Sequence, residues 1–239
     1  MQTMMTDPSA CIEYAESFSR YALLWPTMGF VKNILIGQSP YNRNIFPYYA
    51  PAFSYDVEKH GALLTPSVEM MLRAIEYQYD DLPTGFEERM AHVMTHSHKL
   101  LKNGYLLINA TYSRQAHGIH TVRHMTVMAR AIRWLVTSRP NWKDQDIRVY
   151  AFGNLAAELA SLVSSSLGSD IRITVTRTVH PAALARMTQH EREKRKYFGN
   201  WKLASMLRSM VSNFVEGESD SMSAGNREIF QAISGYARR

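Results

Sequence analysis

Four short runs of aliphatic, β-branched and aromatic residues, Val31 to Ile36, Tyr105 to Ile108, Ile147 to Phe152 and Ile171 to Val179, are separated by long stretches with helical spacing. This alternation restricts the fold more than any other feature of the chain. Parallel strands need crossover connections, usually helices, and strands buried on both faces read as nearly continuous apolar strings. The first three runs are such strings, so we expect an α/β fold with a central four-stranded, mostly parallel sheet flanked by helices. One helix is expected from Pro66-Ser67, with Val68, Met71, Leu72 and Ile75 on one face. A second is expected after the capping-box pattern of Thr84 and Glu87, with Phe86, Met90, Val93, Met94 and Leu101 in its stripe and Gly104 as its stop. Val122, Met125, Ala129, Ile132 and Val136 mark a third, ended by Arg139-Pro140. Leu155, Leu159 and Leu162 mark a fourth, before a Ser-rich turn from Ser164 to Ser169. A further helix is expected around Trp201 to Val211, followed by an acidic, Ser-rich loop from Glu216 to Gly225.

At 239 residues, 46% of them hydrophobic and 20% charged, the chain is the size of one α/β core. We therefore expect a single domain over residues 1–239, with its core at about 31–211 and a C-terminal loop and short helix over 216–239. The composition excludes a disordered chain, a collagen and a disulfide-stapled scaffold. Cys11 is the single cysteine, so an internal disulfide is impossible and a reducing compartment is expected. No apolar run approaches the roughly 20 residues that span a bilayer, and the N-terminus lacks the pattern of a secretory signal; no membrane partner is expected. Twenty-seven Lys and Arg against 21 Asp and Glu give a net charge of +6, which favours a polyanion such as nucleic acid as the partner.

In such a fold the ligand loops lie beyond the carboxyl ends of the strands. Three of these ends carry unusual polar sequence: Gly37-Gln38-Ser39-Pro40-Tyr41-Asn42, Asn109-Ala110-Thr111, and His180-Pro181-Ala182-Ala183-Leu184. A Gly directly after a buried strand, then polar residues and a Pro-constrained turn, exposes backbone N–H groups to an oxyanion or phosphate. The plain alternative is a βα turn that needs Gly and Pro for shape.

Taken together, these segments resemble the uracil-DNA glycosylase family, in the branch whose first motif reads Gly-Gln-Asp-Pro-Tyr-His. Val31 to Asn42 is similar to that strand and motif, and Ala52-Phe53-Ser54 to the downstream Ala-Phe-Ser. Thr65-Pro66-Ser67 is similar to the Pro-Pro-Ser loop, Gly104 to Ala110 to the Gly-Val-Leu-Leu-Leu-Asn-Ala strand, and His180 to Leu184 to the His-Pro-Ser-Pro-Leu loop. Phe152-Gly153-Asn154 falls where the family has Trp-Gly-Ser, and the resemblance covers about residues 31–211.

The resemblance implies a three-layer fold and an enzyme that flips uracil out of DNA and hydrolyses its N-glycosidic bond, leaving an abasic site for base excision repair, without metal or organic cofactor. It implies a role for each matching residue. Tyr41 would stand against C5 of the base and reject the thymine methyl. Phe53 would stack on the flipped uracil, with core packing as its alternative role. Asn109 would accept from N3–H and donate to O4, telling uracil from cytosine; a backbone cap is the other explanation of a carboxamide at a buried strand end. His180 would meet uracil O2, where negative charge grows as the bond breaks, assisted by the backbone N–H of Gln38. Its bland counterpart is a cap on the strand end. Leu184 would be the wedge that fills the gap left by the base. Pro66, Ser67, Ser54 and the Gly153-Asn154 turn would compress the phosphate backbone, with Arg186 and the Arg192 to Lys196 cluster adding attraction independent of sequence.

The sequence departs from the family at Ser39, which stands where the family has its catalytic Asp. That carboxylate positions the attacking water, and a general base is typically worth about 10²–10⁴-fold, so reduced activity is expected. Asn42 replaces the family's His and Ala182-Ala183 its Ser-Pro. These departures are those of a divergent member, for which we expect a viral source. The alternative function is a glycosylase-fold accessory protein that grips DNA and a replication or polymerase partner. A monomer is expected, and a DNA substrate suggests the nucleus, that of the host for a viral protein. His92, His96 and His98, and His117, His120 and His124, form two clusters, but neither has a Cys pair or a His-Glu-x-x-His pattern. We read both as solvated histidines and expect no metal. Nucleotide-binding Gly-rich loops are absent.

Overall fold

The computed structural model describes residues 20–39, 51–54, 64–76, 84–112, 119–184, 186–188 and 201–214. Four strands, β1 (Asn33–Gly37), β2 (Tyr105–Asn109), β3 (Asp146–Phe152) and β4 (Arg172–Thr178), form one sheet in the order β2-β1-β3-β4. Every pairing is parallel, with Gly37 opposite Asn109, Ile36 opposite Ala151, and Phe152 opposite Thr178. The carboxyl ends of all four strands therefore share one edge. Because β2 and β3 lie on opposite sides of β1, the strand order reverses there, and in such sheets ligands bind in the crevice at that switch point, here between the ends of β1 and β3.

Helices α1 (Pro66–Glu76), α2 (Phe86–Thr95), α3 (Ile119–Thr137), α4 (Asn154–Leu167), α5 (Pro181–Leu184) and α6 (Trp201–Ser212) cover the sheet. Alternate strand residues point to opposite faces. Ile34, Ile36, Leu106, Ile108, Val149 and Ala151 pack with Met125, Ile132 and Leu135 of α3 and Leu159 and Val163 of α4. Leu35, Leu107, Tyr150 and Phe152 pack with Met71 of α1, Met90 of α2 and Leu207 of α6. The result is the helix–sheet–helix arrangement that two-faced burial demands, and β1 and β2 are buried at every position. β4, at the sheet edge, shows instead the alternation of a half-covered strand.

β2 forms the other edge, and its outward backbone groups find partners that are not strands. Leu107 N–H donates to the Tyr21 hydroxyl at 3.1 Å and Asn109 N–H to the Tyr112 hydroxyl at 3.3 Å. The Leu107 carbonyl accepts from Ala52 N–H at 3.3 Å, which docks the Pro51–Ser54 loop on the same edge. Burial is complete at Tyr21 and near-complete at Tyr112, and it pushes both phenols above their usual pKa range; a backbone N–H acts in the opposite direction on each. A buried backbone N–H without an acceptor costs about 1–3 kcal/mol, so these hydroxyls stand in for a fifth strand.

Local expectations differ from the structure in five places. The capping box at Thr84 does not form: Gly85, left-handed at φ 74°, takes the cap position and moves Thr84 one residue too far out. The helix it opens ends at Thr95, because His96 leaves helical geometry (φ −106°, ψ 31°), and Ser97–Asn103 continues as a 3₁₀ helix stopped by Gly104. Val122, in the expected stripe of α3, is 56% exposed, since the helix runs past the rim of the core before Met125 enters it. Leu162 is also exposed, the buried face of α4 being Ala156, Leu159, Ala160, Val163 and Leu167. The Ser-rich turn begins only at Gly168; Ser164 to Ser166 stay helical, with the Ser166 hydroxyl donating back to the Val163 carbonyl at 2.8 Å. The acidic segment over 216–225 and the expected C-terminal helix lie outside the described residues.

Candidate functional site at the carboxyl edge of the sheet

Asn109 ends β2 as a buried carboxamide, and its position follows from the register that sets it opposite Gly37. The ladder runs on past the strands, with Ala110 N–H donating to the Gly37 carbonyl at 2.9 Å and Thr111 N–H to the Gln38 carbonyl at 3.2 Å. This fixes the first loop against the second. A Cβ placed on Gly37 would lie 2.7 Å from Asn109 Oδ1, 3.3 Å from the Ala52 Cβ and 3.5 Å from the tip of the Phe53 ring. Gly37 is therefore a glycine for reasons of space: the Asn109 amide oxygen leans over β1 and occupies the volume that any side chain would need.

His180 follows β4 and leans inward in the same way. A Cβ on Gly153 would lie 3.1 Å from the His180 Cβ and 3.6 Å from its ring carbon Cδ2. Gly153 also has φ 95° and ψ 177°, a conformation open essentially to glycine alone. Its N–H donates to the Thr178 carbonyl at 2.9 Å and its carbonyl accepts from Ala157 N–H at 3.0 Å, so the glycine joins β3, β4 and the first turn of α4. His180 is half-buried, and loss of solvent pushes its imidazole below the ordinary value of 6.5, which keeps the ring neutral at pH 7.

Strands lie about 4.8 Å apart, so the backbones of β2 and β4 are separated by roughly 14 Å across the sheet. Asn109 thus stands beside the end of β1 and His180 beside the end of β3. Two glycines, one on each side, make that approach possible.

Phe53 adds a third wall. It is 6% exposed, packs edge-to-face on Phe152 with ring centroids 5.0 Å apart, and points its ring tip at Gly37. Its backbone is left-handed, φ 65°, which is a strained conformation for an aromatic residue. The Ser54 hydroxyl is buried and donates to the Pro51 carbonyl at 2.8 Å, so it braces the loop.

The remaining candidates border the crevice. Gln38 and Ser39 are half-buried just beyond β1. Thr65 caps α1, its hydroxyl accepting from Val68 N–H at 3.2 Å, which places Pro66, exposed, and Ser67, half-buried, in the first turn. α1 packs against α5, the single helical turn that holds Leu184. Asn154 is exposed at the start of α4, whose first turn carries no acidic residue, and Arg186 is exposed beyond α5. Tyr41, Asn42 and the Arg192 to Lys196 cluster lie outside the described residues. Tyr112 is the buried neighbour of Asn109 and was not among the expected site residues; the signal for it is an aromatic hydroxyl three residues after the strand-end amide.

Of the histidine clusters, His92 and His124 are exposed, and His96 Nδ1 lies 3.0 Å from the His92 carbonyl. His98 departs from the solvated reading: it is half-buried, and burial lowers its pKa to about 4. His117 lies outside the described residues, among which no cluster of three His, Cys, Asp or Glu fit to hold a metal ion is found. No described helix is long and apolar enough to cross a membrane. A scan against models of protein families finds no match to this chain, and neither does a search of curated proteins.

Proposed function

We propose that the protein is a uracil-DNA glycosylase, which hydrolyses the bond between C1′ of deoxyribose and N1 of uracil in DNA. The observation that supports this reading is the close approach of Asn109 to Gly37 and of His180 to Gly153, at the carboxyl ends of the two neighbouring central strands. An amide presents an acceptor and a donor side by side, matching N3–H and O4 of uracil. A neutral imidazole facing it donates to O2 as negative charge builds there, and in a site poor in water such a donor is worth most. Strained, buried Phe53 supplies an aromatic surface at the same place. Water supplies hydroxyl to C1′ and a proton to the departing base. The net charge of +6, the helix end at Asn154 and exposed Arg186 fit a backbone of phosphates, with Pro66, Ser67 and Leu184 bordering the path of the strand.

A second reading rests on Ser39. The described segments at the strand ends, Gly37 to Ser39, Pro51 to Ser54, Asn109 to Tyr112, Gly153-Asn154 and Thr178 to Leu184, contain no Asp or Glu to position a water. In that reading the chain holds DNA as an accessory to a replication or polymerase partner and has lost efficient turnover.

Uracil release from a single-uracil oligonucleotide decides between them. Release by the native chain that vanishes in His180→Ala and Asn109→Ala, with duplex binding kept, supports the enzyme. Release confined to Ser39→Asp supports the accessory reading, and release unchanged by His180→Ala overturns the assignment of the site.

A further inference from the structure

The two edges of the sheet are finished differently. At β2 the outward N–H groups of Leu107 and Asn109 and the Leu107 carbonyl are bonded within the chain. At β4 nothing comparable is found among the described residues. In a parallel ladder, alternate residues give both N–H and C=O to one neighbouring strand, and the residues between them turn both to the other side. The phase of β4 is fixed, because the Thr178 carbonyl accepts from Gly153 N–H at 2.9 Å and Thr178 stands opposite Phe152. Arg172, Thr174, Thr176 and Thr178 therefore give their backbone groups to β3. Ile173, Val175 and Arg177 turn theirs outward, and no group among the described residues bonds them there.

The side chains say what this edge admits. Ile173 and Val175 pack against the core on the face covered by α4, and exposed Arg177, on the same face, donates to Ser161 Oγ at 3.3 Å. That partner is a neutral hydroxyl, so the charge of Arg177 is left uncompensated by it. Arg172 and Thr174 are exposed on the other face, with Asp146 of β3 opposite Arg172 in the register. β4 itself holds no acidic residue. Charged side chains on an edge turn away strands of like charge. A second copy of this chain carries the same +6 and would bring the same two arginines to the joint, whereas an extended segment bearing carboxylates is drawn toward it.

We propose that the open edge of β4 is a docking site for an extended acidic segment of a partner protein, which adds to the sheet as a strand beside β4. Backbone bonds to Ile173, Val175 and Arg177 hold the segment, and carboxylates at alternate positions of it meet Arg172 on one face or Arg177 on the other. The site runs along the outer side of β4 rather than across the strand ends, so it does not depend on the glycosylase reading.

The probe is a synthetic peptide alternating threonine and glutamate, beside its threonine–lysine counterpart and a glutamate copy N-methylated throughout. Each is titrated into the ¹⁵N-labelled full chain, with affinity and backbone amide exchange read by NMR. The glutamate peptide should slow exchange at Ile173, Val175 and Arg177 and change little at Thr174 and Thr176, which are already bonded to β3. Its affinity should fall about tenfold in Arg172→Glu with Arg177→Glu, the worth of two surface ion pairs, and that variant should prefer the lysine peptide. Val175→Pro removes one outward N–H and no ladder bond to β3, so it should weaken the peptide by about tenfold in a chain that melts as cooperatively as the native one. The proposal is overturned if the glutamate peptide leaves those three amides unprotected, if the lysine or the N-methylated peptide binds the native chain equally well, or if Val175→Pro folds and binds unchanged. Protection of the same amides in the native chain alone, rising with its concentration, would also overturn it and give the edge to a second copy. Should Val175→Pro fail to fold, the N-methylated peptide on the native chain decides whether backbone pairing is the means of binding.

Discussion

The Asn109 amide oxygen lies 2.7 Å from where a Cβ on Gly37 would be, so one side chain is built into the absence of another. Gly37→Ala must displace either the amide or the end of β1. Overpacking of this kind costs about 1–3 kcal/mol. We expect a lower denaturation midpoint and a loss of uracil release larger than the stability change accounts for, measured by chemical unfolding beside single-turnover release.

On the other side of the crevice, Gly153→Ala meets two obstacles: a backbone at φ 95° and His180 Cβ at 3.1 Å. The conformational penalty is about 1–3 kcal/mol. A variant as stable and as active as the native chain would show that the His180 position is not set by this turn.

Ser39→Asp restores a carboxylate beside the crevice. Single-turnover release should rise by about 10²–10⁴-fold, the usual worth of a general base. Binding to uracil-free duplex should weaken slightly, because the new charge repels phosphate. Release that falls instead would mean that the hydroxyl itself takes part.

His98 gives a pH dependence unrelated to the crevice. Burial lowers its pKa from 6.5 to about 4, so between those values the unfolded chain binds a proton that the folded chain does not. Stability is therefore highest above pH 6.5, falls as the pH drops toward 4, and levels off below it. In His98→Gln the melting temperature should decline less over that window; an unchanged slope would assign the acid sensitivity to other groups.

Tyr21→Phe removes the acceptor of Leu107 N–H without removing the ring that packs edge-to-face on Trp25 at 6.1 Å. Leaving that N–H unpaired should cost about 1–3 kcal/mol by chemical denaturation. Uracil release by the folded fraction should hardly change, since Leu107 is two residues short of the site.

The strands were legible because parallel strands buried on both faces must be apolar throughout, and β1 and β2 obey this at every position. The stripe of α2 was legible for a related reason: Met90 and Val93 recur at helical spacing over one core. What the sequence hides is where an element meets the rim of that core. Val122 keeps the period of α3 and is still exposed, and Thr84 has the right neighbours for a cap but stands one residue outside it. In the site, the segments carrying Asn109 and His180 could be recognised, whereas the approach of each to a glycine of the neighbouring strand depends on register and lean. Tyr21 is harder still: it serves a backbone group 86 residues away, and no local pattern records such a debt.

The hydroxyls of Tyr21 and Tyr112 also decide what β2 offers to other molecules. An edge strand with free N–H and C=O groups is a template on which a second chain can add itself. Here Leu107 and Asn109 have no N–H to offer such a visitor, and the Leu107 carbonyl is taken by Ala52. Three outward backbone groups of β2 are thus taken up by two phenols and a loop, with no further strand beside it among the described residues.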